Sequence, residues 1–189
     1  MASEVSICNI ALTRLGHDAI TSLGADVKAA RLCALHYPET RDYLLRAHPW
    51  NFAVKRVDLG LHVDAPTFEY GYQFTLPDDC LKVIRTESES LGWTDDYRIE
   101  GRKLLAHDTA VGIEYISRVT DPNEMDALFR DALSARLAAE LAVGMTDNAT
   151  LAKELFEIAE NKLRLAFTAD AQEGTPRDHN SDVWLVARL

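Results

Sequence analysis

Six histidines, three cysteines and thirty acidic groups give this chain the side-chain types for metal, nucleophilic or acid–base chemistry, but their spacing assembles none of it. His17, His36, His48, His62, His107 and His179 never fall at metal-ligand spacing with a cysteine, so no zinc site is expected. The phosphate loop G-x-x-x-x-G-K-[ST], the dinucleotide turn G-x-G-x-x-G, the nucleophile elbow G-x-S-x-G and the zinc motif H-E-x-x-H are all missing. Asp78 and Asp79 are neighbours, as are Asp95 and Asp96; adjacent side chains diverge in a helix or strand, so these pairs read as turn or solvated residues. Cys8 and Cys33 sit among apolar helix residues, where a thiol serves as a small core group. A nucleophilic cysteine would need a base and an electropositive setting. The expectation is a chain with no catalytic residue, no cofactor and no metal.

Composition narrows the class further. With 189 residues, 47% apolar and 26% charged, the chain can bury one sizeable core or two small ones. No apolar run approaches the roughly 18 to 20 residues that span a bilayer, and no membrane association is expected. The first residues lack a basic stretch followed by an apolar one, so no secretory leader is expected. Three scattered cysteines suit a reducing cytosol better than a disulfide framework. The net charge of −10 is uneven: residues 1–50 carry five basic and five acidic groups, 51–120 eight and twelve, 121–189 seven and thirteen. This argues against a duplex-binding face, which needs clustered Lys and Arg. An acidic lumen along which DNA slides, or simply a solubilising surface, is compatible with it.

The elements that would position these residues follow from periodicity. Val5, Cys8, Leu12 and Leu15 share a helical stripe, with Ser3 as N-cap and Gly16 as stop. A second helix is expected from about Asp26 to His36, with Ala29, Ala30, Cys33 and Leu35 as a lean apolar side. Pro38 then suits the first turn of a renewed helix through Ala47, whose face Tyr43, Leu44 and Leu45 continue. Pro49 closes it, because proline lacks an N–H and disfavours helix at His48. Trp50, Phe52 and Val54 alternate as in a half-buried strand. Pro49, Trp50 and Phe52 thus read as a structural joint, with Trp50 and Phe52 pinning the β part to the helices.

The middle is β-rich. Phe68, Tyr70, Tyr72, Phe74 and Leu76 recur at every second position with Glu69, Gly71, Gln73 and Thr75 opposite, predicting one long strand. Further strands are expected over Cys80–Thr86 and Val111–Val119, with a hairpin over Tyr97–Ala106 turning at Glu100 and Gly101. Asp121, Pro122 and Glu124 predict a helix start, and Met125, Leu128, Phe129, Leu133, Leu137 and Leu141 carry its face to Gly144. A last helix opens near Thr146 or Asp147, with Leu151, Leu155, Ile158, Leu163, Ala166 and Phe167 inward, and fades near Gly174. The short connection predicts an antiparallel pair.

The fold class is α+β, predominantly α. It comprises N-terminal helices over 1–49, an inserted antiparallel β subdomain over 50–120, and a long helical hairpin over 121–173 that completes a bundle. An extended tail occupies 174–189. Its polar stretch leads into Val183, Trp184, Leu185 and Val186, then Arg188, an apolar ending that either lies in a partner's groove or folds back on the chain's own helices.

Several blocks, in order, resemble the tail tubular protein A or head–tail adaptor (connector) family of short-tailed bacteriophages. They are A-L-T-R-L-G-H-D-A-I-T-S-L (11–23), L-L-R-A-H-P-W-N-F-A (44–53), F-x-Y-x-Y-x-F-x-L-P-D-D-C-L (68–81), Y-R-I-E-G-R-K-L-L (97–105), D-P-N-E-M-D-A-L-F-R (121–130) and the ending V-W-L-V-A-R (183–188). H-P-W-N-F-A and D-x-x-E-M-x-x-x-F-R carry most of the weight. The resemblance implies a virion protein made in the host cytoplasm, forming a homo-oligomeric ring, typically of twelve copies, beneath the portal protein. Such a ring extends the DNA channel without sequence-specific binding and offers a platform to the next tail or nozzle protein. It also implies that Val183, Trp184, Leu185, Val186 and Arg188 dock on the portal. Two small-residue faces, Ala29, Ala30 and Ala34 with Ala135, Ala138 and Ala139, are expected to pack copies together. The alternatives are a head-completion or stopper protein of a related connector class, a small regulatory protein, or an enzyme with a distributed site.

Overall fold

A computed structural model describes residues 1–88, 92–94 and 96–173. Helix α1 covers Glu4–Arg14, and its ends are set by local chemistry. The Ser3 hydroxyl accepts from the Ser6 amide at 3.0 Å while the Ser6 hydroxyl accepts from the Ser3 amide at 2.9 Å, a reciprocal cap. At the other end Gly16 takes φ +72°, which lets His17 N–H reach Leu12 O and Gly16 N–H reach Thr13 O.

Helix α2 runs unbroken over Lys28–Ala47 with Pro38 inside it, where two helices were expected. Proline removes the hydrogen bond to the Ala34 carbonyl, but Ala34 lies on the exposed side, where water can replace it. The buried stripe Ala30, Cys33, Tyr37, Leu44 and Leu45 runs through both halves and holds them in one line. Leu35 and Tyr43, expected inward, are exposed.

Among the described residues seven strands follow: β1 Val54–Asp58, β2 Tyr72–Thr75, β3 Cys80–Ser88, β4 Gly92–Thr94, β5 Arg98–Glu100, β6 Lys103–Ala106 and β7 Val111–Ser117. They form two antiparallel sheets, ordered β1-β7-β3-β4 and β2-β6-β5. The hairpin between β5 and β6 turns at Gly101 with φ +61°, as expected. Two expectations fail here. Trp50–Ala53 is a turn, with Ala53 N–H and Val54 N–H both donating to Trp50 O, so the strand begins only at Val54. The long aromatic strand is limited to Tyr72–Thr75. Glu69 at φ +73° and a Tyr70 N–H to Phe68 O turn bend the chain before it, leaving Phe68 exposed. Gln73, placed on the polar reverse, is buried and donates to the Asp64 carbonyl.

Helices α3, Ala127–Thr146, and α4, Ala149–Gln172, follow. The start of α3 lies beyond the expected one: Asp126, not Asp121, accepts from the amides of Leu128 and Phe129. Asp121 instead holds a turn by accepting from the backbone and side-chain nitrogens of Asn123. Its expected stop also moves, since α3 passes through Gly144 and ends at Asp147 in the left-handed region. Asn148 caps α4 by accepting from Leu151 N–H. Asp131–Lys162 and Arg136–Glu160 ion pairs bridge the two helices. Leu128 and Ile158, expected on the inward sides, are exposed.

The sheets divide the interior. One face of the larger sheet gives Ile116, with Leu81 and Ile84, to a core shared with all four helices. Its other face gives Val83, Val111, Ile113 and Tyr115 to a second core with Phe74, Leu76, Leu104 and Ala106 of the smaller sheet and its approach. The architecture is α+β, with helices and sheets each supplying one side of the larger core.

Candidate functional site

Residues 48–53 connect helices to sheet, and the chemistry there is polar anchoring within an aromatic cluster. His48 ends α2 in an extended conformation, as a residue before proline must. Pro49 then swings Trp50 inward, where it is fully buried and its indole N–H donates to Leu44 O at 2.9 Å. The Trp50 ring meets Phe129 edge-on at 4.9 Å, Phe167 at 5.2 Å and Phe52 at 5.9 Å. Such edge and tilted contacts place the positive ring edge against the negative face. Pro49, Trp50 and Phe52 thus lie in a turn between α2 and β1, and not in the expected strand.

Asp170 completes it and was not singled out in the sequence. Its side chain is 7% exposed, with Oδ2 at 2.9 Å from His48 Nε2 and Oδ1 accepting the Asn51 amide at 3.0 Å. Asn51 Nδ2 donates back to the Asp170 carbonyl at 2.7 Å, and His48 stacks on Phe167 at 4.6 Å. A carboxylate four residues beyond Ala166 falls on the inward stripe of α4, a signal for a buried polar partner. On the sheet side, Ser117 donates from both its amide and hydroxyl to Ala53 O at 2.8 Å. The joint thus ties α2, α3, α4 and β7 together and leaves its aromatic centre closed to substrate.

Most of the two small-residue faces packs inside the chain itself. Ala30, Ala135, Ala138 and Ala139 are buried within the chain's own core; Ala29 is half-buried, and Ala34 alone is exposed. Close packing inside the monomer uses them. Val183, Trp184, Leu185, Val186 and Arg188 lie outside the described residues.

Exposed apolar side chains collect elsewhere. On the β part, Leu61, Val63, Phe68 and Ile99 are exposed, Val63 at 99% and Phe68 at 78%. On the helical part a groove of about 320 Å³ between α2 and α3 is lined by His36, Glu39, Thr40, Tyr43, Arg136 and Glu140. Its centre is Arg136, whose guanidinium lies 5.1 Å from the Tyr43 ring and 4.6 Å from Phe156. Glu140 at 3.0 Å and Glu160 at 3.3 Å neutralise it. A cation held by two rings and two carboxylates braces three helices and offers little to a ligand.

Buried charge elsewhere is paired in the same way. Glu114, 2% exposed, accepts from Arg85 at 2.7 Å and lies 3.4 Å from Arg56, which locks β7 to both its neighbours. Among the described residues no group of three or more His, Cys, Asp or Glu could hold a metal ion. No helix among them is long and apolar enough to cross a membrane. No protein-family model matches the chain, and no curated protein matches it.

Proposed function

We propose that this chain is a structural virion protein, a ring-forming head–tail adaptor beneath the portal of a short-tailed phage. One observation carries the reading beyond the order of the sequence blocks. The two blocks with most of the resemblance, H-P-W-N-F-A and D-x-x-E-M-x-x-x-F-R, are more than seventy positions apart, yet they pack on each other. Phe129 meets both Trp50, at 4.9 Å, and Phe52, at 5.1 Å, while Met125 is buried beside them in the same core. That contact between the two blocks supports the reading.

In this reading the helices form a bundle with a long C-terminal hairpin, and the β part is an insertion. The ring, typically of twelve copies, extends the DNA channel, and the exposed Leu61, Val63 and Phe68 face the next tail component. Val183, Trp184, Leu185, Val186 and Arg188 dock on the portal, with Trp184 as the anchor. Copies meet head to tail, an arrangement that closes only when its rotation fits, so the portal acts as template. The buried alanines take no part in that contact.

Mass measurement of the purified protein with and without portal tests this reading. We expect a monomer or small oligomer alone and a closed ring on the portal, visible by electron microscopy beneath it. Deleting residues 174–189 should leave the chain folded and abolish portal binding. Failure to associate with portal at any concentration would remove the adaptor reading. A ring that plugs the channel would favour the stopper class.

A further inference from the structure

Two successive rows cross the larger sheet with opposite charge patterns. In the first, Arg56 of β1, Glu114 of β7 and Arg85 of β3 stand side by side, and both cations close on the buried central carboxylate. Two residues along, and so on the same face, the row is Asp58, Gly112 and Glu87. Here the outer strands bring carboxylates, and the centre has no side chain. A Cβ on Gly112 would stand 3.0 Å from Asp58 Oδ1; glycine leaves the place open. The result is a notch of about 560 Å³, and the described residues that line it, Leu59, Thr109 and Ala110 among them, include no cation. Asp58 and Glu87 are exposed and form no ion pair among the described residues.

Unpaired cations collect at the other end of β3. The turn over residues 77–80, closed by Cys80 N–H donating to Pro77 O at 3.0 Å, leads into that strand. Arg46 of α2 donates from Nη1 to Leu81 O, and Arg102, between β5 and β6, donates from Nη2 to Pro77 O. Lys82 follows in β3 itself. All three are exposed, and none forms an ion pair among the described residues. A carbonyl orients a guanidinium but does not cancel its charge. Lys55 and Arg118, beside the same turn, are by contrast paired with Asp79 at 3.1 Å and Asp42 at 2.7 Å.

We infer that a second copy of the chain fills the notch: Lys82 of its basic turn, with Arg46 and Arg102 beside it, enters between Asp58 and Glu87.

The entering ammonium sets over Gly112 the counterpart of what Glu114 provides one row earlier, a charge of one sign held between two of the other. Duplex DNA would suit the turn but offers nothing to the carboxylates, and a chain of net charge −10 repels it. A second copy satisfies both surfaces at once. Notch and turn are different surfaces of one chain, so the contact is head to tail and copies add in one direction until their rotation closes. Exposed ion pairs are individually weak and screened by salt, so free copies associate loosely. The pairwise contact stands by itself; only its closure into a ring rests on the adaptor reading.

The test mixes the full chain with an isotope-labelled copy at low salt and adds a carbodiimide, which joins a lysine amine to a carboxylate in contact with it. We expect peptides in which Lys82 of one isotope is linked to Asp58 or Glu87 of the other. Their yield should fall roughly ten-fold as salt rises from about 0.05 to about 0.5 M, where the screening length shortens. Lys82→Glu and Glu87→Lys, each with a wild-type thermal midpoint, should lose association in sedimentation, and their equimolar mixture should regain it. No Lys82 link to either carboxylate at any concentration, or such links confined within one chain, would overturn the contact. So would a mixture that stays apart, or a Glu87→Lys chain that associates as wild type does. If Lys82→Glu abolishes binding to a mixed-sequence duplex while copies still associate, the turn is a phosphate surface and the proposal fails. Links present between copies, with no ring on the portal, would remove the adaptor reading and leave the contact standing.

Discussion

The helical and β parts of this molecule treat their apolar residues in opposite ways. In the helical part the alanines are spent inward: Ala135, Ala138 and Ala139 are all but fully buried, and the aromatic cluster around Trp50 is closed. In the β part a small core of Phe74, Leu104 and Ile113 is sealed, yet Leu61, Val63 and Phe68 face water. Apolar surface scattered singly means little, but here three such residues fall within one short segment. The contrast teaches that a lean Ala stripe is as good a monomer core as it is an interface. Local sequence does not separate the two, whereas burial does.

The largest expected effect lies in the helical part. Trp50→Ala removes a fully buried indole that touches Phe52, Phe129 and Phe167 and orphans the Leu44 carbonyl. It should cost about 3 to 5 kcal/mol, read as a large fall in the denaturant midpoint. An unchanged midpoint would mean that the joint does not hold the two parts together. Next comes Asp170→Ala, which strips the acceptor from His48 and from the Asn51 amide. Leaving those donors unsatisfied should cost about 2 to 3 kcal/mol, and Asp170→Asn should recover part of it. Equal losses in both variants would assign the effect to charge alone.

Much of the helical architecture was legible, and the exceptions have physical causes. Ser3 and Gly16 bracket α1 because capping and the left-handed turn are local chemistry, visible in a few residues. Gly101 places its hairpin for the same reason. Pro38 misled, because its penalty is paid by water on an exposed face while a stripe of distant origin holds the helix straight. Asp121 misled because Asn123 offers its acidic side chain a local turn, and Asp126 supplies the cap nearer to Phe129. The aromatic alternation from Phe68 to Leu76 reads as one strand, but β6 offers pairing only from Tyr72 to Thr75, and the chain ahead of it bends away. Asp170 stayed hidden since its partners, His48 and Asn51, are more than a hundred residues earlier. For the aromatic segment and for Asp170 the deciding contact lies far off in the chain, where periodicity has no reach.

A smaller effect concerns acid. At the surface between α1, α3 and α4, Asp131 accepts from Arg14 at 2.7 Å and pairs with Lys162. Partial burial would raise its carboxyl, but Lys162 and then Arg14 outweigh that and hold it below the usual carboxylate range. A carboxylate depressed in the folded state adds stability above its unfolded value, and that stability disappears as pH falls through the lower, folded one. Asp131→Asn should therefore destabilise at neutral pH and flatten the loss of stability below about pH 4. With 41% of the side chain exposed, solvent screening limits the effect to about 0.5 kcal/mol. A variant with the wild-type acid profile would show that the pairs are not maintained in solution.

The smallest effect on stability is expected in the β part, and it sharpens the comparison most. Phe68 is 78% exposed and lies in the bend before β2, outside the second core. Phe68→Ser should change unfolding free energy by no more than about 0.5 kcal/mol, as exposed substitutions do. Phe74→Ala, six residues later and fully buried, should cost about 3 kcal/mol or more. The pair separates two uses of aromatic residues in one sequence pattern: one packs in the second core, and the other faces water. Chemical denaturation of both variants reads the difference directly. If Phe68→Ser destabilises as much as Phe74→Ala, the segment belongs to the core, and the outward apolar surface of the β part ceases to be a docking face. If it leaves the fold intact and weakens binding to the tail component proposed above, the division between an inward-packed helical part and an outward-facing β part stands.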